Sequence, residues 1–259
     1  MSLDLTSLLR DWPYEPGQIN VRLIEGDDGE PKIQMRLDLG VLQLETSGRP
    51  DGQRPFGYES LLEYYEARLD ESESDEGDDK PLALNEEDCR LLREEAVQYY
   101  HRYISLLVLG EYDAVVRDTM RNLRVLDLCK AHAEQEEDRD VLEQFRPYIS
   151  MMKVRALASQ MVADNEPKAA LVIIDDGLEI LRKQYEESGR APEFEQASEV
   201  QLLRGMRDEL TTKLPAGQKA ELHERLRRAI EAENYELAAI LRDELKLMKD
   251  EKGEAPGPA

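Results

Sequence analysis

Three histidines and two cysteines are the side chains in this sequence best suited to metal binding or nucleophilic catalysis. His101, His132 and His223 lie far apart, and none has a second histidine four residues away, the spacing by which one helix presents two zinc ligands. Cys89 and Cys129 stand outside any CxxC spacing. GxxxxGK[ST] and GxGxxG loops, whose backbones cradle nucleotide phosphates, do not occur. We therefore expect no metal, no cofactor and no catalytic residue, and we expect that the protein is not an enzyme.

Two arginines in a loop rich in Gly and Pro, residues 48–57, have the chemistry of an anion site. The planar guanidinium groups of Arg49 and Arg54 suit a carboxylate or a phosphate, and Asp51 is the one acid close to them in sequence. The alternative is that both arginines brace the loop against acidic helices through surface ion pairs. Arg49 and Arg54 are thus the candidate anion-binding residues.

The stretch from Lys219 to Asp250 has the pattern of a helical hairpin. Apolar residues recur at three- and four-residue spacing on both sides of a break at Glu233, Asn234 and Tyr235. A hairpin this short cannot bury its own apolar stripes, so it must pack on the rest of the chain, on a second copy or on a partner. The predicted partner-binding residues are Leu226, Ile230, Tyr235, Ala239, Leu241 and Leu245, with Arg242 and Asp243 as orienting charges.

Within this stretch, AIEAENYELAAILRDEL resembles the UVR motif. That motif is the short helical hairpin of the excision-repair subunits UvrB and UvrC, of the Clp ATPase partner ClpC and of the arginine-kinase activator McsA. The resemblance implies a docking module that pairs with another hairpin or with a partner protein. A Clp ATPase, a protein kinase or an excision-repair subunit are the implied partners, and a homodimer is a further option. The cysteine clusters of McsA and the helicase or nuclease domains of excision repair do not accompany the hairpin here.

The N-terminal residues 1–70 predict a small α+β unit. A helix from Leu3 to Trp12 is stopped by two prolines. Three runs that alternate apolar and polar residues, beginning near Ile19, Ile33 and Val41, predict an antiparallel meander with one apolar face. A helix over residues 58–69 is expected to cover that face. Its covering residues would be Leu61, Leu62, Tyr65 and Leu69.

The rest of the chain predicts an acidic linker followed by helices. Residues 71–84 are the linker, and a helical scaffold over 85–214 begins with the N-cap Asn85. Two helix pairs in the scaffold resemble degenerate tetratricopeptide hairpins, with turns at Gly110 and Asn165; a plain antiparallel bundle is the alternative. Residues 215–252 form the UVR-like hairpin, and 253–259 are a disordered tail. The predicted fold class is mainly α with a small α+β N-terminal unit, ending in a helical hairpin.

Charge and composition limit the classes of partner. The net charge is −23, from 57 acidic and 34 basic residues, which repels phosphate and disfavours direct binding of nucleic acid. Two isolated cysteines indicate a reducing compartment. No apolar run approaches the roughly twenty residues of a membrane span. These features predict a cytoplasmic location without membrane contact.

Taken together, these patterns favour a non-catalytic cytoplasmic adaptor or scaffold that docks on proteins through the hairpin and through a helical-repeat face. The alternative is an accessory factor of nucleotide excision repair that associates with the excision nuclease or with DNA. A third hypothesis is an enzyme whose site lies between the N-terminal sheet and the loop that carries Arg49 and Arg54.

Overall fold

The computed structural model describes residues 4–74 and 82–213, together with eight positions between 226 and 242. Contacts divide the chain into two compact units, Met1–Arg204 and Gly205–Ala259. Four predicted partner-binding residues, Tyr235, Ala239, Asp243 and Leu245, lie outside the described residues, as does the predicted tail. The finer division at residues 70, 84, 214 and 252 stays a prediction.

The first unit begins with a short helix and the predicted three-stranded sheet. Helix α1 spans Thr6–Asp11. Strands β1 (Asn20–Glu25), β2 (Pro31–Arg36) and β3 (Val41–Glu45) pair antiparallel in the order β1-β2-β3, which confirms the meander.

Both faces of the central strand β2 are buried. Ile33 and Met35 supply the apolar face. On the other face Gln34 accepts two hydrogen bonds from the guanidinium of Arg22 at 2.7 and 2.9 Å and donates one to Gln43, its neighbours on the same rung. Gln34, in the middle of the polar face, is therefore satisfied by side chains of the two neighbouring strands.

Helix α2 (Leu61–Ser74) is oriented differently from the prediction. Its apolar residues Leu61, Leu62 and Tyr65 join the core of the following helices, among them Leu92 and Leu126, and the helix in contact with β1 and β2 is instead α3. The expectation that α2 covers the sheet is therefore wrong. The long helices offer more apolar area than three short strands, and this decides where an amphipathic helix packs.

Helices make up most of the remaining residues that the structure describes. Helix α3 (Glu86–Leu109) starts at the predicted cap, where Asn85 and Asp88 exchange side-chain to backbone hydrogen bonds, and ends at Gly110 in the left-handed conformation. The others that the structure describes are α4 (Tyr112–His132), α5 (Glu136–Asp140), α6 (Arg146–Ala163), α7 (Pro167–Glu187) and α8 (Ser198–Lys213).

Neighbouring long helices pack in the pairs α3 with α4, α4 with α6, and α6 with α7. The last pair approaches closely at Gly177, where an added Cβ would lie 2.5 Å from Val154 Cγ1. The mainly α fold with a small N-terminal sheet is confirmed, while the likeness to tetratricopeptide repeats stays a prediction. Within the described residues, no helix has the length and apolar character to cross a membrane.

Candidate protein-docking surfaces

The candidate docking surface in the second unit is formed by helical residues that differ sharply in burial. Ala229 and Leu241 are 4% and 1% exposed, whereas Ile230 and Ile240 are 53% and 59% exposed. The structure thus separates two predicted contact residues: Leu241 is part of a packed interior, and Ile230 faces outward. Leu226 is partly buried and Arg242 is exposed.

Two further outward apolar residues were absent from the predicted contact set. Leu237 and Ile240, both helical, are three residues apart and exposed. Residues at this spacing are neighbours on one side of a helix. Their three-residue spacing could have indicated them, but the predicted contact residues are Ala239 and Leu241, on either side of Ile240.

The charge of this segment differs from that of the whole chain. Residues 218–251 contain seven Lys or Arg and nine Asp or Glu, against 34 and 57 in the full sequence. A nearly balanced segment with outward isoleucines is repelled less by an acidic protein than the rest of this chain would be.

Residues 218–251 match the UvrB/uvrC motif. The matched range coincides with the hairpin expected at 219–250, so the UVR resemblance is confirmed for that segment. The UVR motif is known for protein or DNA interactions in excision-repair and Clp-related proteins. The chain matches no curated protein and no solved structure.

Arg49 and Arg54, the candidate anion-binding residues, are in different environments. Arg49 Nε lies 3.2 Å from an Asp51 oxygen and 3.3 Å from an oxygen of the fully buried Glu95. Arg54 is exposed and makes no ion pair within the described residues. Arg49 thus has the geometry of the bracing alternative, and an anion there would compete with two carboxylates.

Both arginines line a shallow cavity of about 560 Å³ beside the sheet. Lys32 and Arg117 also line it, but Lys32 Nζ is held by Asp28 and Glu45 at 2.7 and 2.6 Å. Cations and carboxylates therefore alternate around the cavity, and its field for an anion is weak. Anion binding at Arg49 and Arg54 stays a prediction.

A buried ionic network beside this cavity connects the sheet to the helices. Arg102 of α3 donates two hydrogen bonds to Asp118 of α4 at 2.7 and 2.9 Å. The same guanidinium donates to the carbonyl oxygens of Glu45 and Gly48 at 3.1 and 2.7 Å. Because β3 ends at Glu45, Arg102 fixes the end of the sheet against two helices.

Glu95 is the second centre of the network. It accepts a hydrogen bond from the Leu61 backbone N–H at 2.9 Å and pairs with Arg121 of α4. A carboxylate at the N-terminus of a helix satisfies free N–H groups and complements the helix dipole. Glu95 thereby fixes α2 on the helical core. Its partners are distant in sequence, so no local motif indicated the contact.

Burial shifts the pKa values of both cysteines and of His101. Burial raises the pKa of the Cys89 thiol to about 11 and that of Cys129 to about 12, so both are protonated at neutral pH. Burial lowers the pKa of His101. In the part of the chain that the structure describes, no group of three His, Cys, Asp or Glu side chains could hold a metal ion.

Proposed function

We propose that this protein is a non-catalytic cytoplasmic adaptor that docks on a partner protein through its UVR hairpin. The observation that supports this most directly is the exposure of Ile230, Leu237 and Ile240 within a segment that matches a known interaction motif. Exposed apolar side chains that recur within one short motif are typical of protein interfaces. The helical scaffold supplies a second face for docking.

The UVR resemblance supports a Clp ATPase, a protein kinase or an excision-repair subunit as the partner. A second copy of the chain is the other candidate, through pairing of two hairpins. Arg242 stands next to the buried Leu241 and is exposed, so it can orient a partner carboxylate at the edge of the interface.

The test uses the full chain on a biosensor, with a Clp ATPase, an arginine kinase and the UvrB and UvrC subunits offered one at a time. We expect one of them to bind and Ile240→Asp to weaken it at least tenfold, because a charge at the centre of an apolar contact loses its water without gaining a partner. Val172→Asp is the matched control, since Val172 is 60% exposed on α7. Absence of binding to all four and to a second copy of the chain, or an equal loss of affinity in both variants, would contradict the proposal.

The second candidate function is an accessory factor of nucleotide excision repair that touches DNA. The match of residues 218–251 to the UvrB/uvrC motif favours it, and Arg227 and Arg242 are exposed there. The net charge of −23 opposes it. Fluorescence anisotropy with a labelled duplex at low salt decides: binding that weakens as salt rises would favour this candidate over the adaptor, and no binding at low salt would remove it.

A further inference from the structure

The first unit contains an aromatic groove that is separate from the cavity beside the sheet. Val97, Tyr100 and Tyr103 of α3 form one wall, Leu126 of α4 lies at its base, and Phe145 and Tyr148, just before and within α6, form the other wall. We call this the α3–α6 groove. Its volume is about 570 Å³, within the range of about 300–1,000 Å³ that is usual for binding pockets.

The walls of the α3–α6 groove expose apolar side chains to solvent. Val97 and Phe145, one on each wall, are 52% and 50% exposed. The ring centroids of Tyr100 and Tyr148 are 6.2 Å apart across it. Lining residues extend along α3 from Arg93 to Tyr103, a length of about 15 Å at the rise of an α-helix. That length accommodates two anchoring side chains one helical turn apart.

The hydroxyl of Tyr103 is a polar group within the lining of the groove. Tyr103 is 1% exposed, and its hydroxyl makes no hydrogen bond to any described residue. Burial raises the pKa of Tyr103, so the hydroxyl keeps its proton and can donate. A carbonyl oxygen bound in the groove would accept a hydrogen bond from this hydroxyl.

Carboxylates stand at one end of the groove. Asp138 of α5 pairs with the lining residue Arg93 at 2.5 Å, which holds this short helix at the groove. Its other acids, Glu136, Glu137 and Asp140, are exposed and make no ion pair with described residues. Directly after α5 the chain enters the groove wall at Leu142 and Phe145. An apolar groove next to unpaired carboxylates is complementary to an apolar anchor followed by cations.

We propose that the α3–α6 groove binds a partner-protein segment with one or two bulky apolar side chains next to Lys or Arg residues. The apolar anchors fill the space between Val97 and Phe145, a backbone carbonyl accepts from Tyr103, and the basic residues face Glu136, Glu137 and Asp140. This inference rests on the proposed adaptor function and deepens it, because it gives the helical scaffold a place and a chemistry for a second partner.

In the experiment, a phage library of random twelve-residue peptides is selected for binding to the full chain. The most enriched peptide is then synthesised, and its affinity is measured by fluorescence anisotropy. We expect a consensus that combines Leu, Ile, Phe or Trp with at least two Lys or Arg. Phe145→Asp and Val97→Asp should each weaken binding at least tenfold, with circular dichroism checking the fold. The triple change Glu136→Gln, Glu137→Gln and Asp140→Gln should weaken it about threefold to tenfold and reduce its salt dependence.

Two control variants separate this inference from the hairpin proposal. Val172→Asp, on α7 and outside the groove lining, should leave peptide binding unchanged. Ile240→Asp should also leave it unchanged while it removes the hairpin partner. If no peptide is enriched, if the consensus is acidic or lacks basic residues, or if both groove variants bind like the wild type, the inference is overturned whatever the hairpin does.

Discussion

Arg102 and Asp118 form an ion pair with two hydrogen bonds in which each side chain is only 1% exposed. Removing one partner of such a pair leaves the other charge buried and only partly compensated, which typically costs about 3–5 kcal/mol. We expect Asp118→Asn to lower the free energy of unfolding by that amount in urea denaturation.

The matched control for this change is Asp11→Asn, which alters the exposed pair of Arg10 and Asp11. Exposed pairs contribute about 0–1 kcal/mol, so the control should hardly move the urea midpoint. A loss below about 1 kcal/mol for Asp118→Asn would show that the buried pair does not hold the sheet and helices together.

Gly177→Ala should destabilise the protein, although alanine favours helices. A Cβ there would lie 2.5 and 2.6 Å from the two methyl groups of Val154 on α6, and we expect a loss of about 1–3 kcal/mol from overpacking. Gly205→Ala is the control, because nothing lies within 4 Å of a Cβ at that helical position. This variant should be more stable than the wild type by up to about 1 kcal/mol. Thermal unfolding of both variants checks this prediction. Equal shifts of the melting temperature in the two variants would contradict it.

His101 should make stability depend on pH. Its pKa is lowered by burial, and its Nδ1 atom has no hydrogen-bond partner in the described regions. Below about pH 6.5 the unfolded chain binds a proton that the folded chain does not, so stability falls as pH falls, by at most about 1.4 kcal/mol per pH unit.

Urea unfolding at pH 7 and pH 5.5 tests the pH effect on the wild type and on His101→Gln. The carboxylates contribute equally to both proteins, so the variant should lose less stability between the two pH values. Equal losses of stability in the wild type and in His101→Gln would mean that His101 is as easily protonated in the folded protein as in the unfolded chain.

Two adjacent residues in the UVR segment should differ in how the same substitution affects the local fold. Leu241 is 1% exposed and Ile240 is 59% exposed, so a buried carboxylate arises only in Leu241→Asp. We expect Leu241→Asp to speed hydrogen exchange of the amides from 226 to 242 at least tenfold and Ile240→Asp to leave it unchanged. Fast exchange in both variants would mean that Ile240 is also needed for the local fold.

Local pattern was enough to predict the sheet and the helix caps. The alternation of apolar and polar residues near Ile33 predicts the central strand, and Asn85 predicts the start of α3. Both features depend on neighbours in the sequence. The same kind of pattern indicated that α2 had a buried side but not what it packs on. That depends on contacts distant in sequence: the apolar core of the long helices and Glu95, which accepts a hydrogen bond from the Leu61 N–H across 34 residues.

The docking surfaces show the same limit. Tyr100 lies on the groove wall because α6 brings Tyr148 opposite to it, and no pattern within α3 indicates that contact. In the hairpin, Leu241 and Ile240 are adjacent and equally apolar, so composition could not tell the interior from the surface. Only the packing of one helix on another separates such neighbours.

The guanidinium of Arg102 has a consequence for how the first unit unfolds. It donates hydrogen bonds to the carbonyl oxygens of Glu45 and Gly48 and to the carboxylate of Asp118. If the end of β3 separated from α3 and α4, this buried guanidinium would lose the two carbonyl partners. Sheet and helices should therefore melt in a single cooperative step. A protease that cuts within residues 1–70 would then release no folded sheet fragment, because the meander persists only on the helices that hold its last strand.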